Sequence, residues 1–251
     1  MHKMQQSNKN FTEIHLSKTG KVSDKWASYL PFYDNLFEPL REHPVSIFEI
    51  GVQNGGSLES YAEYFKNAER LVGCDIDNEC TKLRFSDPRI QFILGDANAP
   101  NTYNQVLEAG KSFDIIIDDG SHRSSDILQS FLLYFPHLKP SGSFVIEDMH
   151  SLYSKRFDGG MDNPMNAMNF FKMLTDVINH QWWSTEMSIK EYLFKFFPYG
   201  IPQFLTEGWV NSIEFRNSII VVRKALTPSH SKLGDRLVRG SEFLVRKINP
   251  K

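Results

Sequence analysis

The stretch FDIIIDDGSHRSSD, residues 113–126, joins an apolar run to two adjacent carboxylates, a glycine, a serine and a histidine. Residues 113–118 predict a buried strand. Residues 124–136 predict a helix, because apolar side chains recur there at every fourth position: Ile127, Phe131 and Phe135. A buried strand followed through a polar turn by a helix is the repeating unit of an α/β fold.

The same alternation extends to both sides of this stretch. Further strands are expected at 46–50, at 71–75, within 89–96 and at 142–148, with helices at 57–66 and 102–110. Fully apolar strands in such an order predict a parallel sheet that is covered on both faces. The expected fold class is therefore α/β: a Rossmann-like, doubly wound, mostly parallel sheet of seven strands. An N-terminal helical cap and a helical insertion before the last two strands complete it.

We divide the chain into three parts. Residues 1–42 form an N-terminal segment and helical cap, of which 1–20 is expected to be loose, and Pro31 is expected to break or restart the cap helix. Residues 43–224 form the main domain. Residues 225–251 form a basic tail, for which a docking helix or partial disorder is favoured over a helix on a membrane surface.

Within the main domain, residues 151–209 form the helical insertion on the expected acceptor side. Helices are expected at 164–181 and 186–197, and two strands joined by a tight turn at 212–224. The aromatic segment 182–209 is interpreted as an interface or a pocket lid, and a homo-oligomer is left open.

Composition excludes several classes of protein. The chain has 251 residues and a net charge of −2, so it lacks the cationic excess that wrapping nucleic acid requires. Its two cysteines are too few for a disulfide scaffold and form no zinc motif. The polar N-terminus lacks the apolar region of a signal peptide, and no apolar run approaches the ~20 residues of a membrane span. A cytoplasmic setting is expected.

A glycine-bearing turn follows the first strand in FEIGVQNGGS, residues 48–57. Such a turn lets a ligand approach the backbone and meet the start of the next helix, although a plain tight turn is the alternative. The candidate cofactor contacts are Glu49, Gly51, Gly55 and Ser57. The motif is not GxGxxG, which weakens a dinucleotide interpretation.

Acids end the second and third strands. Asp75, with Asp77 as the alternate, is placed to hold a ribose diol. Asp96 could accept a hydrogen bond from an adenine amino group, although solvated loop acids are the alternative in both places. The chain has no Walker lysine motif. A nucleoside held by carboxylates without a phosphate clamp favours S-adenosylmethionine over a nucleoside triphosphate or NADP.

The fourth and fifth strands are neighbours in this kind of sheet, so Asp119, Glu147 and Asp148 can converge. Clustered carboxylates repel one another, and Mg²⁺, which prefers oxygen ligands, relieves that repulsion. His122 is the candidate general base, with a surface histidine as the alternative. Adjacent strand residues point in opposite directions, so we expect at most one of Asp118 and Asp119 to bind the cation, while the other supports a loop or a helix N-terminus. Asp119 is the favoured cation ligand, and Asp118 is a candidate cofactor contact.

Four segments, EIGVQNGGSL, VGCDID, IDDGSH and VIEDMHSLY, resemble in order and spacing the class I S-adenosylmethionine-dependent methyltransferases. They are most similar to the macrocin and mycinamicin sugar O-methyltransferase family, over about residues 23–224. The resemblance implies a Mg²⁺-dependent methyl transfer. It implies that Asp119, Glu147 and Asp148 hold the metal, that His122 is the base, and that Asp75 binds the ribose.

The expected function is O-methylation of a hydroxyl on a sugar of a glycosylated natural product or glycan. The expected partner is thus a small-molecule glycoside or sugar acceptor. The alternatives are a metal-dependent O-methyltransferase of a catechol-like phenol, a non-catalytic S-adenosylmethionine-binding module, and, more weakly, a nicotinamide oxidoreductase. Four cap residues are candidates for lining the cofactor pocket, with simple packing as the alternative: Asp24, Lys25, Tyr29 and Tyr33.

Overall fold

A seven-stranded sheet forms the centre of the chain in a computed structural model, which describes residues 9–231, 233–242 and 244–245. The strands are β1 (Ser46–Ile50), β2 (Arg70–Asp75), β3 (Ile90–Leu94), β4 (Phe113–Asp118), β5 (Leu138–Ile146), β6 (Val210–Phe215) and β7 (Ile220–Lys224). The α-helices are α1 (Phe11–Leu16), α2 (Tyr29–Phe37), α3 (Gly56–Tyr64), α4 (Pro100–Ala109), α5 (Ser124–Tyr134), α6 (Ala167–Ile178), α7 (Ile189–Tyr192) and α8 (Gln203–Thr206).

The strand order is β3-β2-β1-β4-β5-β7-β6. The first five strands pair in parallel, and β7 runs antiparallel between β5 and β6. All five residues of β1 are buried, as the continuous apolar run predicts for a strand covered on both faces. The predicted Rossmann-like, doubly wound, mostly parallel sheet is confirmed.

Two hydrophobic layers cover the sheet. Phe48 of β1 points into a cluster with residues of α4, α5 and α6, such as Phe131 and Phe170. The preceding residue, Ile47, points into a second cluster formed by α1, α2 and α3. Successive strand side chains thus contribute to opposite layers. The two N-terminal helices supply much of the second layer.

The expectation that residues 1–20 are loose is wrong for α1, and its part on residues 1–8 lies outside the described residues. Asn10 caps this helix in a reciprocal capping box with Glu13, and Phe11 is only 1% exposed. The Phe11 ring contacts four others: Tyr33, Phe37, Tyr61 and Tyr64. Of the two alternatives expected at Pro31, a break in the cap helix is wrong, whereas a new helix start is close to the structure, in which α2 begins at Tyr29. Pro31 lies in the first turn of α2, where the missing N–H has no intrahelical partner to lose.

The predicted C-terminal elements are mostly present. Helix α6 and the antiparallel pair β6 and β7 lie where periodicity predicts them, and the Arg216 N–H donates to the Ile219 carbonyl in the connecting turn. The helix expected at 186–197 is reduced to the four residues of α7. The described part of the tail contains no helix, and residues 232, 243 and 246–251 lie outside the described residues. No helix within the described ranges is long and apolar enough to cross a membrane.

Candidate functional site

A cavity of about 540 Å³ lies at the carboxyl ends of the parallel strands, which is where doubly wound sheets bind ligands. Its wall contains four of the predicted cofactor residues: Gly51, Asp75, Asp96 and Asp118. It also contains the predicted base and the three predicted metal ligands: His122, Asp119, Glu147 and Asp148. The structure therefore brings the two predicted halves of the site into one cavity.

Gly51 is required where the turn after β1 meets the end of β4. Its φ is +87°, and a Cβ built on it would lie 2.1 Å from the Asp119 carbonyl oxygen. The Gly51 N–H donates to the Cys74 carbonyl, and the Asp119 N–H donates to the Ile50 carbonyl. These contacts fix the first turn of the fold against the backbone of the candidate metal ligand.

Asp75 presents a fixed carboxylate to the cavity. It accepts hydrogen bonds from the backbone N–H groups of Gln53 (2.8 Å) and Asp77 (2.9 Å). Asp77 itself accepts from the N–H of Glu79 and caps a short 3₁₀ helix outside the cavity wall. Of the two acids after β2, Asp75 is therefore the one in position to meet a ligand.

Three predicted cofactor contacts lie outside the cavity wall. Glu49 is fully buried and accepts from the Ser57 hydroxyl (2.5 Å) and the Tyr61 hydroxyl (2.9 Å). Burial raises the pKa of Glu49 to about 7, although Lys25 and these hydrogen bonds oppose the shift. Gly55 packs against the Phe85 ring. Contact of Glu49, Gly55 or Ser57 with a cofactor stays a prediction.

Asp118 and Asp119 face different surroundings. The Asp118 carboxylate is buried and accepts from the Ser130 hydroxyl and from the Gly120 N–H. Burial raises the pKa of Asp118 to about 6. Asp119 instead points towards the acids after β5.

Asp119, His122 and Asp148 form a cluster in which one ligand atom from each lies within 4.8 Å of the others. His122 Nε2 is 3.7 Å from Asp148 Oδ2. His122 and Asp148 have φ values of +56° and +54°, a region that non-glycine residues rarely occupy. Such backbone strain persists where surrounding contacts fix it, and it is concentrated at functional sites.

The N-terminal cap contacts all three acids. Lys25 Nζ lies 2.6 Å from Asp119 Oδ2 and 2.7 Å from Glu147 Oε1. Tyr33 donates to the same Glu147 oxygen at 2.5 Å. Trp26 Nε1 donates to Asp148 Oδ1 at 3.0 Å, and the Tyr29 hydroxyl contacts the same oxygen.

Tyr29 links the site to the far end of the chain. Its hydroxyl is 2.7 Å from Asp148 Oδ1 and 2.9 Å from Ser218 Oγ, and it accepts from the Asp148 N–H at 3.1 Å. Ser218 lies in the turn between β6 and β7, and its carbonyl accepts from the Met149 N–H. The strained backbone of Asp148 is thus held from two directions.

Lys25 and Glu147 form a fully buried ion pair. Burial alone would lower the pKa of Lys25, but Glu147 and Asp119 raise it well above its usual value. Burial raises the pKa of Glu147, and Lys25 opposes that shift. An ammonium within 2.7 Å of two carboxylate oxygens favours the charged form of both partners. The contacts therefore support a raised pKa for Lys25, which keeps its ammonium charged.

The sequence predicted four cap residues as possible pocket lining: Asp24, Lys25, Tyr29 and Tyr33. The cavity wall contains Asp24 and Lys25 but neither tyrosine, and it also contains Trp26, which the prediction missed. The available signal was the short run DKW, residues 24–26, which places a cation and an indole just before an apolar helix. Its meaning depends on contacts with residues about 90 to 120 positions away, which periodicity does not predict.

The cluster fits a hard divalent cation. The carboxylates of Asp119 and Asp148 can supply the oxygen ligands that Mg²⁺ prefers, and His122 lies in the same cluster. Glu147 is not part of this cluster, but its carboxylate lies in the same cavity wall. The carboxylates of Asp75 and Asp96, at the ends of β2 and β3, fit the hydroxyl and amino groups of a nucleoside.

Comparison with known proteins finds similarity to methyltransferases. A family model described as a methyltransferase domain matches residues 48–149. The chain is 30% identical over 218 residues to 8-demethyl-8-alpha-L-rhamnosyl tetracenomycin-C 2'-O-methyltransferase of Streptomyces olivaceus, covering 83% of this chain and 53% of the relative. It is 35% identical over 164 residues to mycinamicin VI 2''-O-methyltransferase of Micromonospora griseorubida, covering 61% of this chain and 40% of the relative.

Among solved structures, the chain is similar to the MycE methyltransferase from the mycinamycin biosynthetic pathway, in complex with Mg and SAH. The TM-score is 0.65 and the identity 29%, over 78% of this chain and 48% of that one. The matched segment and the fold are those of a methyltransferase domain. Among methyltransferases, the chain resembles the macrocin and mycinamicin sugar O-methyltransferases. It spans about half the length of the curated relatives it matches.

Proposed function

We propose that the chain is an S-adenosylmethionine-dependent, Mg²⁺-assisted O-methyltransferase acting on a sugar hydroxyl of a glycosylated natural product or glycan. The observation that carries this proposal is the shared cavity. The wall of this cavity contains the carboxylates of Asp75 and Asp96, after β2 and β3, which suit a nucleoside. The same cavity contains the cluster of Asp119, His122 and Asp148, after β4 and β5. The names of two relatives, which specify O-methylation of a rhamnosyl tetracenomycin and of an olivosyl-oleandolide, support the sugar acceptor.

The cofactor side of the cavity is formed by the ends of β1, β2 and β3. Asp75 would accept hydrogen bonds from the ribose hydroxyls, and Asp96 from the adenine amino group. Gly51 lacks the side chain that would collide with the Asp119 backbone, so the turn after β1 can lie against the end of β4 in the cavity wall. Asp118, held by Ser130, would form the buried floor between the two halves of the cavity.

Asp119, Glu147 and Asp148 would hold the metal. When bound, S-adenosylmethionine supplies the methyl group, and Mg²⁺ acidifies a hydroxyl beside it. His122 would accept the hydroxyl proton at Nε2, and the carboxylate of Asp148, 3.7 Å away, would stabilise the resulting imidazolium. The chain's contribution is then mostly orientation and electrostatics.

The test is methyl transfer from labelled S-adenosylmethionine to a panel of deoxysugar glycosides, with and without EDTA. We expect activity to be lost in EDTA and restored by Mg²⁺. Asp119→Ala should reduce it at least 100-fold, whereas the matched control Asp77→Ala, outside the cavity, should retain it. Full transfer in EDTA or in Asp119→Ala would contradict the metal role. Transfer to catechols but to no glycoside would contradict the sugar acceptor.

A further inference from the structure

Lys25 occupies the place that a cation shared by Asp119 and Glu147 would take. Its side chain is 2% exposed, and its ammonium bridges one oxygen of each carboxylate. Both carboxylates belong to the set proposed to hold Mg²⁺. An ammonium and a divalent ion at the same two carboxylates would repel each other strongly inside a buried site.

The segment that carries Lys25 is suited to movement. Residues 22–26 contain neither helix nor strand, and the Trp26 side chain is 59% exposed. Val22 and Trp26 each accept one backbone hydrogen bond, from Gly56 and Tyr29 respectively. The segment is therefore held mainly by the side-chain contacts of Lys25 and Trp26 with the acids, and loss of those contacts would leave it with few backbone hydrogen bonds.

We propose that Lys25 is a resident counter-cation that a divalent ion replaces, so that metal binding releases residues 24–26 from the acids. This inference rests on the proposed function, because it uses the proposed metal ligands. No bond is made or broken in the exchange: one ammonium leaves two carboxylates, and one divalent cation takes its place. Trp26 forms part of the cavity wall, so its release widens the entrance for an acceptor.

The first experiment is calorimetric titration of MgCl₂ into the cofactor-free protein. Lys25→Met should bind Mg²⁺ about tenfold more tightly than the wild type, because the ion no longer competes with the ammonium. The matched control is Lys21→Met, since Lys21 pairs with Glu59 outside the cavity. It should bind as the wild type does. Equal or weaker binding by Lys25→Met would overturn the exchange.

The second experiment needs no substitution and therefore stands even if Lys25→Met fails to fold. Hydrogen exchange of the wild-type protein is followed with and without MgCl₂. We expect faster exchange over residues 22–29 when Mg²⁺ is present, with β1 and β4 unchanged. Unchanged or slower exchange in that segment would overturn the proposal.

The outcomes distinguish a failure of the Lys25 exchange from a failure of the proposed function. Metal-dependent methyl transfer without a change at residues 22–29 contradicts the exchange alone. Absence of Mg²⁺ binding by every variant contradicts both the exchange and the proposed metal site.

Discussion

The histidine after β4 gives the most direct test of the chemistry at the residue scale. His122→Ala removes the proposed proton acceptor, so kcat for a sugar hydroxyl should fall by roughly 10²–10⁴-fold. Cofactor affinity should stay within about threefold, because His122 follows β4 whereas Asp75 ends β2, and β1 lies between those two strands. Steady-state kinetics and cofactor titration measure both.

The matched control is His43→Ala, an exposed histidine in the loop before β1. A loss of less than tenfold in His122→Ala would contradict the base role. A phenol ionises near pH 10 without help, so a small loss would direct attention to a catechol-like acceptor.

Glu49 makes a pH-dependent contribution to stability. Burial raises its pKa from 4.5 to about 7, so the folded protein holds this proton over a pH range in which the unfolded chain loses it. The associated stability is fully present below pH 4.5 and is lost as the pH rises to about 7. The change is on the order of 3 kcal/mol.

Glu49→Gln should remove this pH dependence. Its unfolding free energy should vary less between pH 5 and pH 8 than that of the wild type, as measured in urea at both values. The control is Glu63→Gln, an exposed carboxylate on the same helix as Ser57. Parallel pH profiles for Glu49→Gln and the wild type would contradict the prediction.

The surroundings of a side chain could be predicted from the sequence when its contacts are with neighbouring residues, and not when they are with distant ones. The opposite directions of neighbouring strand residues correctly predicted that Asp118 and Asp119 would have different surroundings. The role of Lys25 could not be derived in this way, since its partners are 94 and 122 positions away. The hydrophobic periodicity of the sequence does not predict the ion pairs of Lys25 with Asp119 and Glu147.

At the scale of elements, the short helix α1 contributes buried side chains to one of the two hydrophobic layers. Phe11→Ala empties a site between rings of α2 and α3, and such a truncation costs about 3–5 kcal/mol of unfolding free energy. Leu16→Ala, at the other end of the same helix and 74% exposed, should change it by less than about 0.5 kcal/mol. Chemical denaturation of the two variants measures the difference, and equal effects would contradict the packing role.

Elements with their own strong periodicity were predictable, and those that depend on tertiary contacts were not. The predicted and observed bounds of β1 and β4 coincide because their apolar runs end in polar turns. The helix at 186–197 was overestimated, because its aromatic residues pack irregularly: Phe196 and Phe197 both contact Phe170. The helix α1 was missed because one buried phenylalanine fixes it.

At the scale of the whole molecule, ligands should stabilise the folded chain. S-adenosylhomocysteine at about 100 times its Kd should add about 2.7 kcal/mol. For a chain of this size, that raises Tm by roughly 5–10 °C. Thermal unfolding with and without ligand measures the shift. Asp75→Ala should abolish it, whereas Asp77→Ala should retain it, and a full shift in Asp75→Ala would contradict the ribose contact.

The contact between Tyr29 and Ser218 also bears on how the protein is made. These two residues are 189 positions apart, and both hold the loop that carries Asp148. Closing so long a loop is slow compared with forming a helix. At about 5–20 residues per second, a ribosome needs at least several seconds between the two residues. The acidic cluster therefore reaches its final form only after Ser218 has been synthesised, which keeps a shorter nascent chain from presenting a finished cation site.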